Sequence, residues 1–271
     1  MNKFQLIVLS GAILMFVLLY FAPKTESLVE KAKIASVDHN FETHVADFKA
    51  KLPAAELEKI VLVEKALSKS SNQNSLVLID SLIGLWDLNK NPAAASIYAF
   101  QKAEMTKSVE HWQNAGERSF YAARFVEGHL SKHIYEQAIK SYEEVLKVQP
   151  GNLDSKINLA VCFVENSVEP MKGILLLREV LEVDSLNVKA HLNLGYFSLK
   201  SGQFNKAIDR FEKVIEIKPD YMEAYLYMGD VYETKGDNKK AIECYEKYRD
   251  GVDNASLSAE IANYIEKLKI K

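Results

Sequence analysis

The chain has 271 residues, 48 % of them hydrophobic and 26 % charged, enough apolar material for a sizeable core and too much for large-scale disorder. Its 34 Lys and Arg against 37 Asp and Glu leave a formal charge of −3, so no basic surplus exists to neutralise phosphates and nucleic acid is not an expected partner. Cys162 and Cys244 are the only cysteines and lack CxxC or zinc-like spacing. Neither a disulfide framework nor a structural metal is therefore indicated, and both read as small buried hydrophobes.

After a three-residue flank (1–3), the run Phe4 to Ala22, FQLIVLSGAILMFVLLYFA, carries no charge. At a helical rise of about 1.5 Å per residue it reaches about 28 Å, close to the thickness of a bilayer's hydrocarbon core. A cleaved signal peptide has a shorter apolar region and a small-x-small site. Here the run ends in Tyr20-Phe21-Ala22-Pro23, so an uncleaved anchor is expected. Lys3 on one side competes with Lys24, Lys31 and Lys33 on the other, and charge alone leaves the orientation open. A short N-terminal flank left inside would carry residues 23–271 to the outer side.

Residues 23–75 read as a stalk and hinge. Apolar positions at helical spacing in FETHVADFKAKL and AAELEKIVLVEKAL predict one or two short amphipathic helices interrupted at Pro53. SKSSNQNS, Ser68 to Ser75, is a polar hinge that marks the domain boundary.

From residue 76 the chain reads as helix after helix, and its small residues recur with a period. Gly195, Gly202, Ala207 and Phe211 return as Gly229, Gly236, Ala241 and Tyr245, each 34 positions later. Clear units are drawn at 153–187, 188–221 and 222–251. Two modified units precede them. One, 109–152, holds Trp112, Ala115-Gly116, Ala138 and Tyr142 around a turn about ten residues longer than the template. The other, 76–108, holds Gly84, Ser96, Phe100 and Ala103 at matching spacing. Within a unit, Gly195 and Gly229 permit close approach of a second helix, Ala207 and Ala241 do the same from the other side, and Phe211 and Tyr245 fill the space beside the contact. Gly202 and Gly236 end the first helix in a left-handed turn, and Pro150 and Pro219 stop the second. One such hairpin cannot bury its apolar face alone, so stacking into a solenoid is expected. Residues 252–271 read as a terminal capping helix, opened by the stretch from Ser256 to Glu260.

Leu194-Gly195, Ala207, Phe211 and Pro219 in the fourth unit, with Tyr225, Met228-Gly229, Tyr232, Ala241 and Tyr245 in the fifth, resemble the tetratricopeptide repeat (TPR) family over roughly residues 76–251. The resemblance implies an all-α fold of about five helical hairpins with a capping helix, here behind an N-terminal transmembrane helix. It also implies a protein-binding function. In similar repeats, asparagines on the first helix line a concave groove and bond an extended peptide. By resemblance that role falls to Asn114, Asn158 and Asn193, each directly before its unit's small-residue pair, with Tyr227 standing at that position in the fifth unit. A carboxamide both donates and accepts, which suits a peptide group. One turn further lie Glu117, Val161, Tyr196 and Asp230, expected to set side-chain preference, and Lys200 is an isolated candidate for a carboxylate. The Lys, Asn and Arg set with which some members of the family clamp a terminal carboxylate is not matched.

No nucleotide loop, nucleophile elbow or HExxH is present in the sequence, so no catalytic residue, cofactor or small-molecule substrate is expected. His129 and His133 share a helical face without further ligands and read as solvated or capping side chains. Trp86 and Trp112 read as core. The sequence therefore predicts an adaptor, held in a bacterial inner membrane with its soluble part on the periplasmic side, that binds a partner's extended segment or helix. The alternative implied by similar anchored bacterial repeat proteins is an accessory subunit of an envelope machine, serving cytochrome c haem attachment or the chaperoning of exported chains.

Overall fold

The computed structural model describes residues 44–70, 73–166 and 169–270, and the apolar run Phe4–Ala22 lies outside them. No described helix is long and apolar enough to cross a membrane. The chain divides into two compact units, Met1–Lys51 and Leu52–Lys271. Of the first, residues 44–49 are seen to be helical.

The second unit contains only helices among its described residues: α1 (Ala54–Leu67), α2 (Gln73–Leu88), α3 (Pro92–Thr106), α4 (Val109–Ala122), a 3-10 turn (Ala123–Phe125), α5 (Gly128–Val148), α6 (Leu153–Glu165), α7 (Pro170–Val183), α8 (Val188–Lys200), α9 (Phe204–Ile217), α10 (Met222–Thr234), α11 (Asn238–Gly251) and α12 (Ala255–Ile270). Five hairpins, α2/α3, α4/α5, α6/α7, α8/α9 and α10/α11, follow one another, each packed on the next, and α12 covers the last.

Local chemistry sets the helix ends. Asn91, Ser108, Asn152, Asn187 and Asp237 each accept a backbone N–H of the first turn through a side-chain oxygen, relieving one of the unpaired donors there. Gly202 and Gly236 take left-handed φ values of 72° and 79° just beyond α8 and α10. Lys90 stands at the matching turn of the first hairpin with φ 53°, a conformation costly for a side chain and one that the later units give to glycine. At α12 the expected cap is corrected. Asn254 accepts from Leu257 N at 3.1 Å, whereas Ser256 lies within the first turn and stands four residues before Glu260, one too many for a capping box, which needs a spacing of three.

The register of the repeats follows from three glycines, each facing an aromatic ring. A Cβ on Gly195 would lie 2.5 Å from Phe211 Cε1, one on Gly229 2.5 Å from Tyr245 Cε1, and one on Gly116 3.0 Å from Tyr142 Cε1. The ring therefore occupies the space a side chain would need, and Tyr142, Phe211 and Tyr245 are essentially inaccessible. Trp86, Trp112, Cys162 and Cys244 are buried as well, and burial pushes the Cys162 and Cys244 thiols up, that of Cys244 to about 11.

Two features differ from the sequence-based expectation. The added residues of the second unit do not form a long turn: the 3-10 turn takes three, and α5 runs 21 residues against 14 in α9. Further, α1, expected within the stalk, packs on α2. Its Ile60 is fully buried, and Glu64 accepts a 2.6 Å hydrogen bond from the hydroxyl of Tyr98 on α3.

Candidate groove

In the later units the first helices of successive hairpins approach one another, α6 with α8 and α8 with α10, whereas the second helices α7, α9 and α11 have no comparable mutual contact. The first helices therefore lie on the inner face. A cavity of about 390 Å³ opens there. Val161 and Glu165 of α6 line it, with Leu192, Asn193, Tyr196 and Phe197 of α8 and Tyr227 of α10. Arg124 of the 3-10 turn and Tyr135 of α5 complete the lining.

The aromatic side chains form a connected wall. The rings of Tyr196 and Tyr227 lie 5.3 Å apart between centroids, and Tyr227 stacks on Phe211 at 5.7 Å and 27°. Stacking on a buried ring fixes Tyr227 against the core, so the wall is rigid and loses little entropy when a ligand binds. Burial, with neighbouring Tyr196, Glu223 and Asp230, raises the Tyr227 phenol, and burial with Glu165 raises that of Tyr135. Both stay neutral at physiological pH and offer an O–H donor and an acceptor.

The sequence-predicted residues separate in space. Asn193, Tyr196 and Tyr227 meet in the cavity. Asn193 Nδ2 donates to Lys189 O at 2.8 Å, so its Oδ1 is the amide atom not engaged by that bond. Asn158 donates from Nδ2 to the hydroxyl of Tyr142 at 3.2 Å and so braces the ring over Gly116. Asn114 lines a second cavity of about 320 Å³ with Asp80, Lys102, Glu110, His111 and Arg118, between α2, α3 and α4. Ion pairs cross its walls, Lys102 to Asp80 at 2.6 Å and Arg118 to Asp87 at 3.0 Å. Lys200 pairs with Glu165 at 3.1 Å and lies 5.4 Å from the Tyr196 ring centroid, beside the main cavity.

Asp230 accepts from the Tyr245 hydroxyl at 2.8 Å, and the same hydroxyl lies 3.1 Å from Glu233, which also accepts from Tyr264 at 2.7 Å. Burial raises the Asp230 carboxyl, opposed by the bond from Tyr245. This cluster ties α12 to the fifth hairpin. His133 Nε2 lies 3.2 Å from Gln137 Nε2, and among the described residues no group of three or more His, Cys, Asp or Glu is placed to hold a metal.

Sequence reasoning missed Arg124, Tyr135, Glu165 and Phe197. Arg124 and Tyr135 belong to the non-repeating insertion, which a periodic template cannot place. Glu165 lies one turn beyond Val161 on α6, so extending the inward face by a turn would have found it.

A family model described as "TPR repeat" matches residues 198–236, and one described as "Tetratricopeptide repeat" matches 223–250. The chain is 38 % identical over 87 residues to RNA polymerase-associated protein CTR9 of Saccharomyces cerevisiae, covering 32 % of this chain and 8 % of that protein. It is 30 % identical over 92 residues to lipopolysaccharide assembly protein B of Haemophilus influenzae, covering 32 % of this chain and 23 % of that one. The chain thus spans less than a quarter of either curated relative. Among solved structures, a tetratricopeptide repeat protein from Parabacteroides merdae is similar at a TM-score of 0.56 and 17 % identity, over 86 % of this chain and 89 % of its own. That likeness concerns the fold alone.

Proposed function

The chain being a tetratricopeptide repeat protein, we propose that it is a membrane-anchored adaptor whose inner groove binds a segment of a partner protein. The supporting observation is the cavity formed where α6, α8 and α10 converge, with its wall of Tyr196, Phe197 and Tyr227 and the side chain of Asn193. An aromatic wall with a few fixed polar groups matches the chemistry of peptide recognition, in which main-chain groups are bonded and alternate side chains fill pockets. The activity is binding alone. The apolar run Phe4–Ala22 supplies the anchor and residues 23–271 lie on the outer, periplasmic side, so tethering raises the local concentration of the partner and modest affinity suffices.

A photo-cross-linking residue placed at Tyr196, in source-cell membranes, tests the groove. A discrete partner should cross-link there and not from Leu175, which is exposed on the second helix α7. Equal yield at both positions would remove the groove from the mechanism. Resistance to carbonate extraction, together with digestion by protease added from the outer side, tests the anchor and its orientation.

A second reading, an accessory subunit of an envelope machine, is favoured by the stretch similar to a lipopolysaccharide assembly protein. It requires stoichiometric co-purification with catalytic subunits that survives Tyr196→Ala with Tyr227→Ala.

A further inference from the structure

Repeat positions alone would give the groove one character along its length, and the insertion in the second unit breaks that uniformity. Arg124 enters from the 3-10 turn with its guanidinium carbon 4.5 Å from the Phe120 ring centroid, a contact that positions the cation without neutralising it. The other charged lining residue, Glu165, is paired with Lys200, whereas Arg124 makes no ion pair among the described residues. Tyr135 lines the same cavity from the extended part of α5, and its hydroxyl has no hydrogen-bond partner among the described residues. An unpaired guanidinium beside a neutral phenol provides charged and neutral donors for a carboxylate.

Glu165 lines the cavity on the same side as Tyr135 and, with burial as the larger cause, raises its phenol, and the pairing of Glu165 with Lys200 at 3.1 Å offsets its repulsion of an incoming carboxylate.

We propose that Arg124 and Tyr135 form an anion subsite that selects partner segments bearing an Asp or Glu side chain at a fixed spacing from an apolar side chain seated against Tyr196, Phe197 and Tyr227. This inference rests on the groove reading above. Its specificity comes from the insertion, not from the repeats.

A random peptide library displayed on phage, with peptides fused through their C termini so that no free carboxyl end is offered, is selected against the full chain in detergent micelles. Selections run in parallel on the native protein, on Arg124→Glu and on Tyr196→Ala with Tyr227→Ala. Native protein should enrich peptides with an acidic residue at constant distance from an apolar one, and these should bind more weakly as salt is added. Arg124→Glu should weaken the same peptides about tenfold or more and should itself select Lys or Arg at that position. Arg124 is exposed, so its variants should keep the native helical signal. Arg124→Gln, with loss of acidic preference and of salt dependence, reads the same effect without charge reversal. Peptides that need the two tyrosines but bind Arg124→Glu unchanged would overturn the anion subsite alone. No enriched peptide, or peptides indifferent to the tyrosines, would overturn the groove reading and this inference with it.

Discussion

Adding a single methyl group at Gly195 tests the register of the whole repeat array. In an exposed helix Gly→Ala is favourable by about 1 kcal/mol, because alanine loses less backbone entropy. At Gly195 the new Cβ would meet Phe211 Cε1 at 2.5 Å, Cδ1 at 2.9 Å and Cζ at 3.0 Å, all closer than carbon atoms pack. The Phe211 ring cannot swing away, since it is fully buried among Ala207, Val214, Ala224 and Val231 and stacks on Tyr227. Overpacking of this kind costs about 1 to 3 kcal/mol, which offsets the propensity gain and leaves Gly195→Ala destabilised by up to about 2 kcal/mol. Gly195→Leu should cost about 2 to 4 kcal/mol by the same mechanism. Urea unfolding of the full chain, followed by the helical circular dichroism signal, gives the midpoints. Gly84→Ala is the control, because nothing lies within 4 Å of a Cβ there and stability should rise by up to about 1 kcal/mol. Combining Gly195→Ala with Phe211→Leu should recover part of the clash. A midpoint for Gly195→Ala that rises in step with Gly84→Ala would refute the ring-over-glycine register.

Asn158→Ala should lower stability by about 1 kcal/mol, since it removes the amide from the buried Tyr142 hydroxyl. Asn193→Ala, whose amide bonds its own helix, should stay within about 0.5 kcal/mol in the same urea titration. Ile60→Ala should cost about 2 to 4 kcal/mol and expose α1 to limited proteolysis, whereas an unchanged digestion pattern would mean that α1 is not packed on α2. His191 is buried, with Nε2 3.0 Å from Ser185 O and Nδ1 3.1 Å from Arg210. Burial lowers its pKa despite the bond to Ser185, and Arg210 and Lys213 lower it further. The unfolded chain thus takes up this proton first as pH falls, so the stabilisation is complete above the ordinary histidine value of about 6.5 and is lost as pH falls below it through the lowered folded-state value. His191→Gln should flatten that slope in melting temperature against pH, and an unaltered slope would assign it to another group.

Much of the architecture was legible in the sequence because the repeat is a local rule stated several times. Gly195 with Phe211 and Gly229 with Tyr245 sit at one spacing because a ring on the second helix needs the same gap on the first in every unit. Gly202 and Gly236 were readable for a similar reason, as few other residues adopt the left-handed turn cheaply. The groove was legible only in part. Asn193, Tyr196 and Tyr227 fall on the inward face by register, and the structure brings them together. Asn158 occupies the same register but is engaged by Tyr142, a neighbour sixteen residues earlier on another helix. Lys200, read as an isolated candidate for a partner's carboxylate, is paired with Glu165 thirty-five residues away.

By itself, then, the sequence determined the helical class, the period, the close glycine contacts and the burial of Trp86, Trp112 and both cysteines, since each depends on interactions within one hairpin or on bulk hydrophobicity. Only the tertiary structure decided what the non-repeating parts do. It turned the insertion into a 3-10 turn that brings Arg124 to the cavity and a longer α5 that brings Tyr135 there, and it packed α1 against α2 instead of leaving it as a spacer. The physical reason is that such contacts join residues with no fixed sequence separation: they form wherever apolar area and hydrogen-bond partners meet in three dimensions, and no periodic pattern encodes that meeting.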